Sequence, residues 1–175
     1  MSGPAFEDSR LPPNTSCGYP IKLSPIFQER VWGEEDLSFL YATRPAEPHR
    51  VGEVWLSGDE NRIANGPWSG ASLGEIASVC GPALVGADVF RNRTVGSPAF
   101  PLLVKFLFTS DKLSVQVHPP DLYARQREAG AGKTEMWHVL ATKPGATLAI
   151  GFREDITEKE WDRASPRVAV ESGEI

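Results

Sequence analysis

The sequence predicts a mainly β fold, a barrel or sandwich with short helical inserts, rather than a doubly wound α/β sheet. Short apolar stretches with alternating polar residues recur along the chain, and Gly, Pro and Asp turn signals separate them. Helix-start patterns interrupt these stretches without a strict strand–helix alternation.

The elements follow in order. Residues 1–19 are rich in Pro, Gly and Ser without a period and read as a loose N-terminal arm, leaving 20–175 as one domain region. From Ile21, IKLSPIFQERVWG looks extended, and Pro25 marks an edge strand or a strand start. VGEVWLSG (51–58) alternates Val51, Glu53 and Trp55 against Gly52, Val54 and Leu56, then turns at Gly58-Asp59. Ser72-x-x-Glu75 is a capping box that opens a helix to about Cys80, where Gly81-Pro82 stops it. FPLLVKFLFTS (100–110) and LSVQVHPP (113–120) read as two strands of a hairpin turning at Asp111-Lys112. A helix is expected over 121–129, closed by Gly130. KTEMWHVL (133–140) and ATLAIGF (146–152) follow as strands, with Lys143-Pro144-Gly145 turning between them. Thr157-x-x-Glu160 caps a last helix over 157–163. The chain ends at VAVESGEI without a closing strand, so either the sheet is small and open or this is the N-terminal portion of something longer.

Composition narrows the function. With 175 residues and 41% hydrophobic content the chain can bury a core. Eighteen basic against 23 acidic residues give a net charge of -5 with no basic stripe, which argues against nucleic acid as a partner. No apolar run is long enough to span a bilayer, and the N-terminus lacks the build of a signal peptide, so no membrane partner is expected. Cys17 and Cys80 form no C-x-x-C pair and read as free thiols of a cytoplasmic protein.

Strand parity then points to chemistry. In LSVQVHPP, Ser114, Gln116 and His118 share one face, while Leu113, Val115 and Val117 take the other. In KTEMWHVL, Lys133, Glu135, Trp137 and Val139 share a face. Imidazole nitrogen, carboxylate oxygen and amide oxygen together suit a divalent metal such as zinc, and a lysine beside it is a candidate proton carrier. The same residues would equally decorate the solvated face of a half-exposed sheet. AGAGKTE does not make a phosphate loop, because position 127 is Arg where a glycine is required and a strand pattern follows. His138 has the opposite parity and reads as packing or surface, and His49 as a solvated loop residue. Trp55, Trp68 and Trp137 read as core, with Trp137 on the parity that reaches the polar face.

FPLLVKFLFTSDKLSVQVHPPD followed by GKTEMWHVLATKPGATLAIGF resembles the type I mannose-6-phosphate isomerases, particularly their shorter bacterial form. PIFQERVWG, GEVWLSG and RIANGPWSGASLGEI resemble that family's preceding segments, so the likeness runs from about Ile21 to near the C-terminus. The resemblance implies a cupin-like jelly-roll β-barrel or sandwich with short helical inserts whose C-terminal strands lie beyond this chain. It implies a zinc ion held by Gln116, His118 and Glu135, with Lys133 in the active site, and a small-molecule sugar phosphate as substrate. The family's reaction interconverts mannose 6-phosphate and fructose 6-phosphate through an enediol. Pro120 stands where the family usually has Asp, and His138 where it often has Tyr. The family continues into a further zinc-binding histidine and a catalytic arginine, so the 175-residue chain alone is expected to show little or no isomerase activity. A cupin-like module that binds sugar or metal without turnover is the alternative.

Overall fold

The computed structural model describes residues 17–43, 45–93, 98–113, 116, 118, 120–124, 126, 132–148, 150, 151 and 157. The chain falls into two compact units, residues 1–112 and 113–175, each taken by itself below.

The first unit is built on a three-stranded antiparallel sheet in the order β1-β2-β3, from β1 (Ile26–Glu34), β2 (Val51–Trp55) and β3 (Lys105–Leu107). β1 starts directly after Pro25 and forms one edge, as a proline that cannot donate to a ladder requires. Its register with β2 is regular from Ile26 to Gln28 and then breaks, so that Glu29 and Glu34 both pair with Val51. The intervening residues fold back over β2. Close backbone approach there depends on glycine: a Cβ on Gly33 would come within 2.6 Å of the Gly52 nitrogen, and one on Gly52 would collide with the Arg30 side chain.

β3 is much shorter than the strand expected over 100–110, and it pairs with β2. Ser57, two residues after β2, bonds the chain just before β3. Its hydroxyl donates to Leu102 O at 3.0 Å and accepts from Val104 N at 3.0 Å, giving the chain side-chain partners where a ladder would otherwise form. After β3, Ser110 bonds Trp32 O and Gly33 O, which carries the chain across to the far end of β1.

Two apolar clusters form the core. Leu37, Val51 and Val54 are buried among Phe27, Tyr41, Leu56, Phe106 and Phe108. The rings meet mostly edge to face, with Phe27 and Tyr41 centroids 5.3 Å apart. Each fully buried aliphatic side chain here contributes about 1.5–3 kcal/mol. The second cluster joins Ile63, Trp68, Ile76 and Cys80.

The capping box forms as the sequence requires: Glu75 N donates to Ser72 Oγ, and Ser72 N to the Glu75 carboxylate at 2.7 Å. It opens α1 (Leu73–Cys80), which buries Leu73, Ile76, Ala77 and Cys80 at helical spacing and ends at Gly81, φ 51°. Two short helices follow, α2 (Pro82–Val85) and α3 (Ala87–Arg91).

The expectation of free thiols is corrected: Cys17 and Cys80 are joined in a disulfide. Cys17, Tyr19, Ile21 and Leu23 all pack on the second cluster, and this apolar contact brings together two sulfurs separated by 63 residues in sequence. His49 is exposed, as a solvated loop residue should be, but it is not without a partner, since its Nε2 lies 3.5 Å from Glu35 Oε2. Trp68 is buried, as expected.

In the second unit α4 (Asp121–Tyr123) begins where the helix over 121–129 was expected; residues 125 and 127–130 lie outside the described residues. Lys143-Pro144-Gly145 turns as read, with Ala146 N bonded to Lys143 O and Gly145 at φ 81°. The strands expected over 113–118 and 133–140 are corrected: among the described residues, 113, 116, 118 and 132–143 join no β-ladder. The alternating pattern is present, but a strand also needs a partner for its backbone groups. The apolar side of this segment is uncovered as well, with Met136 92% exposed. The strand expected over 146–152 is likewise corrected, since its described residues 146–148, 150 and 151 join no β-ladder, and nearly all of the helix expected over 157–163 falls outside the described residues.

Candidate active site

The second unit brings His118, Lys133 and Glu135 together without a ladder between them. His118 precedes two prolines in sequence, which restrict the backbone locally. Pro120 sits at φ -67°, ψ 160° and leads into α4, whose Ala124 N donates to Pro120 O at 3.0 Å. Ala124 is 1% exposed and anchors this end of the segment.

Glu135 is the centre. Its Oε2 lies 3.2 Å from His118 Nε2, and its Oε1 lies 2.9 Å from Lys133 Nζ. Lys133 and Glu135, two residues apart, reach the same place, as the parity reading expected. Burial pushes the Glu135 carboxyl up. The hydrogen bond and charge of Lys133, the charge of His118 and a hydrogen bond from Trp137 outweigh that, and hold it below the usual carboxylate range. Glu135 is therefore an anion at neutral pH. Trp137 is half exposed, so the expectation that it belongs to the core is corrected.

A cavity of about 400 Å³ adjoins these groups, lined by His118, Pro120, Asp121, Gly132, Lys133 and Thr134. That volume falls within the range of small-molecule sites. Asp121 and Thr134 went unremarked as site residues in the sequence. Asp121 reads there only as the acidic first residue of a helix, and Thr134 only as part of the false phosphate loop.

Of the other expected residues, Gln116 is exposed and does not line the cavity. Ser114 lies outside the described residues. His138 is exposed at the surface.

The donor chemistry can be tested against a metal ion. Two donors at roughly 2.0–2.2 Å from a tetrahedral zinc stand about 3.4 Å apart. The His118 Nε2 to Glu135 Oε2 separation of 3.2 Å is close to that edge. The pair fits one ion. Among the described residues, no group of three or more His, Cys, Asp or Glu side chains is placed to hold one.

Comparison with known proteins adds the family. Residues 21–150 match "Phosphomannose isomerase type I, catalytic domain". The chain is 34% identical, over 90% of its length and 51% of the relative's, to a Bacillus subtilis (strain 168) protein named "Probable mannose-6-phosphate isomerase GmuF". It is 32% identical to the mannose-6-phosphate isomerase of Streptococcus mutans serotype c, over 89% of this chain and 50% of that one. The crystal structure of the mannose 6-phosphate isomerase from Bacillus subtilis superposes with a TM-score of 0.53 at 30% identity, covering 65% of this chain and 35% of that chain. The chain thus spans about half the length of the curated relatives it matches. With the family match running through both units, this chain belongs to the type I phosphomannose isomerases and carries part of their catalytic domain.

Proposed function

We propose that the His118–Lys133–Glu135 cluster is part of the active site of a zinc-dependent aldose–ketose isomerase that interconverts mannose 6-phosphate and fructose 6-phosphate. The observation that carries this reading is the 3.2 Å approach of imidazole and carboxylate, at the edge length of a zinc tetrahedron, with a lysine on the same carboxylate. In this reading the sheet of the first unit belongs to a cupin-type barrel.

His118 and Glu135 would hold the ion, and Gln116 is the candidate for a weaker amide ligand. A zinc ion bound there supplies Lewis acidity that polarises the sugar oxygens at C1 and C2. Isomerisation moves one proton between C2 and C1 and one between O2 and O1 through an enediol, with no net gain or loss of atoms or electrons. Lys133, on the cavity wall, would donate a proton or hold a developing oxyanion, a reading its position beside Glu135 supports. Glu135 keeps that ammonium in place through Oε1.

The substrate is a phosphate ester that does not cross a bilayer unaided, and we assign the reaction to the cytoplasm. Reducing conditions there oppose the Cys17–Cys80 bond, so its contribution is expected in purified, oxidised protein. Among the described residues, no helix is long and apolar enough to cross a membrane.

Catalytic zinc usually has three protein ligands, and the described residues supply two His, Cys, Asp or Glu donors at one place. Weak metal binding and little turnover by the 175-residue chain follow. The second reading is a sugar- or metal-binding module without turnover. A coupled assay on mannose 6-phosphate separates the two. The test compares this chain with a chimaera extended by the C-terminal half of the Bacillus subtilis relative. The chimaera is expected to turn over, and Glu135→Ala to abolish it. A folded, zinc-loaded chimaera without isomerase activity would contradict the enzyme reading and leave the binding module.

A further inference from the structure

Two segments build the site, one carrying His118 and the other Lys133 and Glu135, and among the described residues no β-ladder joins them. Besides the His118–Glu135 approach, a hydrogen bond to the backbone ties them. Asp121 Oδ1 accepts from Gly132 N at 2.8 Å, across a sequence separation of 11 residues. Both ends of this bond lie on the cavity wall. Asp121 opens α4, three residues after His118, and Gly132 immediately precedes Lys133. The bond therefore fixes the point at which the backbone enters Lys133-Thr134-Glu135, on the same wall as His118.

We propose that Asp121 is a positioning residue for Lys133 and Glu135, its carboxylate supplying the tie that a strand ladder would otherwise give. The proposal rests on the metal-site reading above only for its functional consequence. Asp121 is not itself a third ligand: no triad of metal-holding side chains that would include it is present among the described residues. Its effect on bound metal passes through Gly132 to Glu135. Removing such outer partners typically weakens metal binding by roughly 10–100-fold.

Three variants of the full chain separate the possibilities. Asp121→Ala removes the acceptor, and Asp121→Asn keeps an oxygen at the Oδ1 position. Asp121→Glu keeps the charge and the helix start but displaces the acceptor by a methylene, and serves if alanine unfolds the segment. Amide hydrogen exchange at Gly132, read by NMR, is expected to speed up about tenfold in the alanine and glutamate variants and to stay near wild type with asparagine. Zinc affinity, measured by calorimetry, is expected to fall about tenfold or more in the same two variants, with asparagine within about threefold of wild type. Unchanged exchange in Asp121→Ala, or an asparagine variant no better than alanine, would overturn the positioning role. If wild-type protein takes up no zinc, the metal reading fails, and Asp121 is still judged by Gly132 exchange and by the nuclear Overhauser contact between the His118 ring and the Glu135 side chain. That contact should persist with asparagine and vanish with alanine; its survival in the alanine variant would count against the proposal.

Discussion

Glu53 is the sharpest test of how the sheet is held. Its residue is 8% exposed, yet it carries a carboxylate at the centre of three strands. Trp55 Nε1 donates to Oε2 at 2.7 Å, Arg30 reaches the same oxygen at 3.2 Å, and Lys105 Nζ reaches Oε1 at 3.2 Å. Burial raises its pKa, but the donations from Trp55 and Lys105 and the charges of Lys105 and Arg30 bring it below the ordinary value of 4.5. Replacing Glu53 with Ala strips three bonds to a carboxylate, one from a neutral donor and two from cations. Unpaired buried groups cost about 1–3 kcal/mol each, and breaking a buried pair costs about 3–5. The Arg30 and Lys105 side chains are 34% and 23% exposed, so both can recover water. The stranded Trp55 indole and the lost packing then dominate, and Glu53→Ala should cost about 2–3 kcal/mol. Glu53→Gln keeps the volume and an acceptor for Trp55, and should cost about half as much. The sign of the pH effect follows from the lowered pKa. The stabilisation is complete above 4.5 and is lost as pH falls through the folded value, so the gap between wild type and Glu53→Gln narrows on acidification. Urea unfolding at pH 7 and at pH 4 measures both. A Glu53→Ala midpoint equal to wild type at pH 7, or a gap that widens in acid, would refute this account of the sheet centre.

Two further perturbations test the second core cluster. Reducing Cys17–Cys80 releases a loop closed across 63 residues, for which chain entropy gives an upper value of about 4 kcal/mol. Melting with and without dithiothreitol should show a lower Tm in the reduced protein, and a Cys80→Ser variant should not respond to reductant. Ser72→Ala removes the N-cap acceptor of α1 and should cost about 1 kcal/mol in urea unfolding, with near-native circular dichroism.

Legibility in the sequence followed the range of the forces involved. The capping box at Ser72 and Glu75, the turn at Pro144-Gly145 and the proline-led start of β1 depend on neighbours within a few residues, and all three could be read directly. The length of β3 could not, because the residues before it find their partners at Ser57, 45 residues away from Leu102. Cys17 and Cys80 were read from compartment chemistry, whereas a packed apolar cluster governs their meeting. At the candidate site, side-chain alternation anticipated that Lys133 and Glu135 share a direction. Alternation says nothing about pairing, and the segments that were expected to be neighbouring strands show no ladder in the described residues. Asp121 escaped notice because its partner is a backbone amide 11 residues on, which carries no side-chain signature.

The central claim is that His118 and Glu135 hold one divalent ion between them, and zinc calorimetry on the full chain tests it most directly. One zinc per chain is predicted for wild type, with a weak but measurable affinity. His118→Ala and Glu135→Ala should each lose more than the roughly 10–100-fold expected for an outer partner, since each removes a donor atom itself. His138→Ala, at an exposed position on the other parity, should bind as wild type does. Undiminished zinc binding by Glu135→Ala would contradict the claim, and would leave the 3.2 Å approach of His118 to Glu135 as an ordinary ion pair.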